Sequence, residues 1–127
     1  MKKEHTTFGE LLRKLRLEEA KMGLRAFADL IEMAPSNLSN IERDRIMPPA
    51  GKKKLQQISD ALGLAQDNPN RQKLFDLSAT ARSRVPADVE ETIKENKAIP
   101  ILVRTVANKQ LDEKELIELT EFINKHY

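Results

Sequence analysis

Pro35-Ser36-Asn37-Leu38-Ser39-Asn40-Ile41-Glu42-Arg43-Asp44 reads as a short helix with one apolar edge and one hydrogen-bonding edge. At helical periodicity Leu38 and Ile41 fall together, while Ser36, Ser39, Asn40 and Arg43 fall on the opposite side, with Asn37 at its margin. Pro35 suits the first helical position, where its missing N–H breaks no intrahelical bond. Hydroxyl, amide and guanidinium groups on one helix face match the major groove of duplex DNA. There each base pair displays a different pattern of donors and acceptors, and asparagine can grip adenine through two hydrogen bonds. Ser36, Asn37, Ser39 and Asn40 are therefore candidate base contacts.

Working outward, Leu24 to Ile31 carries apolar positions at Leu24, Phe27, Ala28, Leu30 and Ile31 and is interrupted by Glu32-Met33-Ala34. Two short helices joined by a tight turn are expected. Arg25-Ala26-Phe27-Ala28, then Ile31, then Pro35 to Arg43 resembles the helix-turn-helix of the Xre/Cro family of bacterial and phage repressors, a likeness covering residues 7–64. The resemblance implies a five-helix, lambda-repressor-like domain whose third helix enters the major groove. It also implies an ion pair between Arg16 and Glu42, because in the family an arginine of the first helix pairs with the glutamate at this place. The chain departs from the family pattern at three positions. Gly23 stands where a Ser or Thr caps the second helix, Glu32 replaces the turn glycine, and Ala34 replaces the cap of the third helix, a place where alanine is a poor substitute.

The charge distribution agrees with an anionic partner. The net charge is only +2, but residues 1–64 hold 12 Lys/Arg against 9 Asp/Glu. The excess is densest from Arg43 to Lys54, where Arg43, Arg45, Lys52, Lys53 and Lys54 are opposed by Asp44 alone. These five cations, with Arg25, are candidate phosphate contacts that would add sequence-independent, salt-sensitive affinity. Lys2 and Lys3 are candidates for a flexible arm on DNA.

Other chemistry is poorly provided for. The chain has no cysteine and only two histidines, His5 and His126, near opposite ends, so no disulfide, zinc finger, metal site, cofactor or histidine-dependent catalysis is expected. It lacks a phosphate-cradling glycine loop, and the Glu18-Glu19 and Glu90-Glu91 pairs have no third group to set up acid–base work. No enzyme is expected. The Met-Lys-Lys start leads into polar residues, and no apolar run approaches the length of a membrane helix; a cytoplasmic protein without membrane contact is the expectation.

The periodicity predicts an all-α chain. Thr7 and Glu10 form a capping-box pattern ahead of Phe8, Leu11, Leu12 and Leu15. Pro48-Pro49 forces a loop, a fourth helix runs to Leu62 before Gly63, and a fifth begins at Asn68-Pro69 with Leu74, Leu77, Ser78 and Ala81 inward. These five helices would form a DNA-binding domain over residues 1–81. Residues 82–127 form a helical C-terminal region: one helix from Val85-Pro86 to about Asn96, an apolar one from Ile99 to Ala107, and a last one capped by Asp112. That region is apolar yet too short for its own core, so its helices should pack on the first domain, on a second copy or on both, and dimerisation is the economical reading. Ile101, Leu102, Val106, Leu116, Leu119 and Ile123 are the candidate interface. A homodimer would read two half-sites of a palindromic operator. The resemblance leaves two further partners open, because the family includes antitoxins that bind a toxin and repressors controlled by an ImmA/IrrE-type metallopeptidase. A protein-binding adaptor without DNA affinity is the remaining alternative.

Overall fold

In the computed structural model, which describes residues 6–82 and 85–127, the chain is helical, with no strand among the described residues. Lys2, Lys3 and His5 lie outside that range. The elements are α1 (Phe8–Leu15), a π-helical turn (Arg16–Ala20), α2 (Leu24–Leu30), α3 (Pro35–Glu42), α4 (Lys52–Ala61), α5 (Pro69–Arg82), a 3-10 turn (Ala87–Val89), α6 (Glu90–Glu95), α7 (Ile99–Asn108) and α8 (Glu113–His126). They divide into two compact units, Met1–Glu90 and Glu91–Tyr127.

The first unit is built around one apolar core. Phe8, Leu11, Leu12 and Leu15 of α1 meet Phe27, Ala28 and Ile31 from α2 and its end, Leu38 and Ile41 of α3, Leu55, Ile58 and Leu62 from α4 and its end, and Leu74 and Phe75 of α5. The capping box at the start of α1 forms: Glu10 N–H donates to Thr7 Oγ1 at 3.1 Å, and Thr7 N–H to Glu10 Oε1 at 3.3 Å. Helix α1 ends in the π-helical turn, which closes at Lys21 with φ +53°.

Three features differ from the sequence reading. The single helix expected from Val85-Pro86 to about Asn96 is a 3-10 turn followed by the 6-residue α6. The stripe that α5 buries is Arg71, Leu74, Phe75, Ser78 and Ala79, while Ala81 is exposed and Leu77 half-buried. The rotation follows from Arg71, whose Nη1 donates to the Leu64 carbonyl at 2.9 Å and pairs with Asp60 at 2.9 Å, drawing the start of the helix inward. The first unit also runs past the expected boundary at residue 81, because Ala87 joins the core and the Ala87–Val89 turn packs on α5. Helix α5 holds the proline loop as well: Arg82 Nε and Nη2 donate to the Pro48 carbonyl at 3.0 and 2.9 Å, and Ser78 Oγ donates to the Pro49 carbonyl at 2.5 Å.

In the second unit, α7 and α8 are joined by residues 109–112, with Gln110 in the left-handed region at φ +53°. Asp112 caps α8 through Oδ1, which accepts from Glu115 N–H at 2.8 Å, and Glu115 returns the bond to Asp112 N–H at 3.0 Å. No side chain from Glu91 to Tyr127 is buried.

Candidate nucleic-acid interface

Helix α3 begins at Pro35, its first-turn proline, behind Ala34, whose side chain makes no cap bond. Leu38, Ile41 and Glu42 face inward and are buried. Outward lie Ser36 and Asn37, both exposed, and Ser39 and Asn40, both half-buried. Among the described residues none of these four side chains has a hydrogen-bond partner, so their donors and acceptors are open to a ligand. Arg43 and Arg45, beyond the end of α3, and Lys52 and Lys53, in the first turn of α4, are exposed and equally free of partners.

The bearing of α3 is set from beneath. Arg16, at the start of the π-helical turn, donates through Nε to Glu42 Oε2 at 2.7 Å and through Nη2 to Glu42 Oε1 at 2.9 Å, a two-point clamp between residues 5% and 7% exposed. Its Nη1 donates to the Met22 carbonyl at 2.9 Å. Hydrogen bonding to Glu42 raises the Arg16 pKa above the ordinary guanidinium value, against the opposing effect of burial, and the Glu42 charge adds to the rise. Such a pair fixes geometry more reliably than it adds net stability.

Gly9 sets the distance between helices. A Cβ there would lie 2.2 Å from the Ile41 carbonyl oxygen and 2.7 Å from that of Glu42, so only glycine lets α1 come this close to the end of α3. Just beyond, Thr7 Oγ1 donates to Asp44 Oδ2 at 2.9 Å, and Asp44 takes φ +61°.

The link between α2 and α3 contains the two substituted positions that sequence singled out. Glu32 adopts φ +54°, the left-handed conformation that glycine takes without strain. A polar chain runs along the link: Lys54 Nζ donates to the Ile31 carbonyl at 2.8 Å and to Gln57 Oε1 at 2.8 Å, and Gln57 Nε2 donates to Glu32 Oε1 at 3.0 Å. Two of the three N–H donors of Lys54, a phosphate candidate in the sequence, are thereby held by the end of α2 and by Gln57. Gly23 caps α2 with backbone alone, and Arg25, in the first turn of α2, is exposed and lines a cleft with Asp29, Met33 and Pro35.

Sequence reasoning missed Gly9, Arg71 and the Lys54–Gln57–Glu32 chain. Only Gly9 carried a local signal, as a glycine inside the first turn of a capped helix. The candidate interface residues of the second unit are all at the surface: Ile101, Leu102, Leu116 and Ile123 exposed, Val106 and Leu119 half-buried. Among the described residues no group of three or more His, Cys, Asp and Glu could hold a metal ion, and no helix is long and apolar enough to cross a membrane.

Comparison of the chain with protein-family models, with curated proteins and with solved structures finds no match.

Proposed function

We propose that the chain is a sequence-specific, double-stranded-DNA-binding regulator, with α2 and α3 as a helix-turn-helix inside a five-helix domain of the Xre/Cro kind. One observation carries the reading. Helix α3 presents four unpartnered polar side chains on a backbone whose bearing is fixed by the buried Arg16–Glu42 clamp. A rigid helix with free amides and hydroxyls is what base readout requires, whereas a merely structural surface helix has no need of such support.

On this reading Ser36, Asn37, Ser39 and Asn40 meet base edges. Arg43, Arg45, Lys52 and Lys53, with Arg25 on the neighbouring helix, meet phosphates and fix the register. The protein acts as a dimer on a near-palindromic operator and represses its own promoter by occupying it.

The test is binding of the purified chain to its own upstream DNA and to scrambled DNA across a salt series. Tight, sequence-dependent binding that weakens steeply with salt is the expected result. Asn40→Ala should lower discrimination at one base position by roughly 1–3 kcal/mol. Lys53→Gln should weaken all sequences alike and flatten the logarithmic salt slope by about 0.9. Binding that ignores sequence, or an Asn40→Ala protein that discriminates as the parent does, would sink the assignment.

A further inference from the structure

The second unit has apolar side chains and nothing under them. Exposed fractions are 61% for Ile101, 53% for Leu102, 52% for Val103, 39% for Leu116, 51% for Ile117, 53% for Phe122 and 41% for Ile123. With a fully exposed large side chain taken as roughly 200 Å², these seven leave on the order of 700 Å² open on one chain. That approaches the ~800 Å² per partner of a stable protein–protein interface.

The shape and charge of α8 say what covers it. Leu116, Leu119, Thr120 and Ile123 form a central stripe, flanked on one side by Ile117 and on the other by Phe122. At 100° per residue this arc spans about 220°, twice the ~100° stripe that one neighbouring element covers, so α8 has room for two neighbours. Its charges are uneven along the axis: Glu113 and Glu115, with Lys114 between them, leave the first turn net acidic, Lys125 and His126 occupy the last, and Glu118 and Glu121 lie on the face away from the stripe. Two copies of α8 side by side in opposite directions set each acidic first turn against the partner's basic last turn. In parallel, like ends would meet. The helix dipoles favour the same choice.

We propose that the second unit pairs with the same unit of a second copy across a two-fold axis, with the two α8 helices antiparallel. The axis passes between Leu119 and Thr120, so that Leu116 of each chain packs opposite Ile123 of the other, and the apolar stripes of the two α7 helices close the flanks as a four-helix bundle. This specifies the dimer invoked for operator binding but stands on the second unit alone.

The chain has no cysteine, so the geometry can be read with introduced ones. A disulfide needs the two Cα atoms within about 7 Å. First, the mass of the full chain in solution at micromolar concentration should be that of a dimer. Thr120→Cys should then oxidise to a covalent dimer with itself. Leu116→Cys alone should not, but should link to Ile123→Cys when the two proteins are mixed. Leu116→Asp combined with Ile123→Asp should yield a monomer whose first unit unfolds at the parent's denaturant midpoint. A monomeric parent, a Leu116→Cys protein that links to itself as readily as Thr120→Cys, or a dimer in which no linkage forms would each overturn the proposal. A dimer that ignores DNA sequence would remove the regulator reading and leave this one standing; a monomer that reads its operator would do the reverse.

Discussion

The two units of this chain are both helical and differ in what their apolar residues touch. In the first, Leu12, Phe27, Ile31, Leu38 and Leu74 are wholly enclosed. In the second, no side chain is buried, although α7 and α8 are amphipathic as well. Helical patterning says which face wants cover; only packing says whether the cover is in the same chain. The first unit is complete by that measure. The second leaves its apolar faces open.

The sharpest way to break this contrast is to make one truncation in each unit. Leu38→Ala empties a fully enclosed site and should destabilise the first unit by about 3–5 kcal/mol in denaturant titrations. Leu116→Ala, in chain dilute enough to be monomeric, should change that transition by less than about 0.5 kcal/mol. Comparable losses would mean that the second unit packs within its own chain. Next in size is the clamp. Arg16→Met strands the buried Glu42 carboxylate and should cost about 3 kcal/mol, most of it recovered by adding Glu42→Leu. Sequence-dependent DNA binding should not recover with the stability, since the double variant no longer fixes the bearing of α3.

A smaller effect separates the left-handed residues. Glu32→Gly relieves the left-handed strain but gives up the exposed Gln57 hydrogen bond, so it should raise the first unit's stability by at most about 0.5–1 kcal/mol. Gln110→Gly, between α7 and α8, should leave the same transition where it was. If both variants stabilise the first unit, the two units unfold together. The smallest effect is electrostatic. Burial, and then the nearby charge of Asp88, raise the Asp76 carboxyl above its ordinary range. Because the folded form holds that proton more tightly, the stability it contributes is full below the ordinary carboxylate pKa and is lost as pH rises through the raised one. Asp76→Asn should accordingly be more stable than the parent at neutral pH, and the advantage should vanish in acid; an advantage that persists below about pH 4 would point to another cause.

What was legible in the sequence was local. The capping boxes at Thr7 and Asp112, the first-turn prolines at Pro35 and Pro69, and the inward Leu38 and Ile41 each depend on neighbours a few residues away, and the helices start and face accordingly. The Arg16–Glu42 pair was reached through resemblance rather than spacing. The bond from Lys54 to a backbone carbonyl 23 residues earlier is one that no side-chain pattern announces. Arg71 was overlooked for the same reason, and its burial rotated the stripe of α5. Gly9 is needed only because α3 passes beside it. Among the candidate DNA contacts, exposure on α3 followed from periodicity, whereas which lysines are free to act depended on the fold.

The Arg16–Glu42 clamp joins residues 26 positions apart. Its two ends are held together by the packing of α1 on α3, so an opening of α1 withdraws that support from α3. The outward face of α3 thus borrows its bearing from a distant part of the chain: a fragment lacking residues 7–20 would carry every outward side chain of α3 without the clamp that orients them.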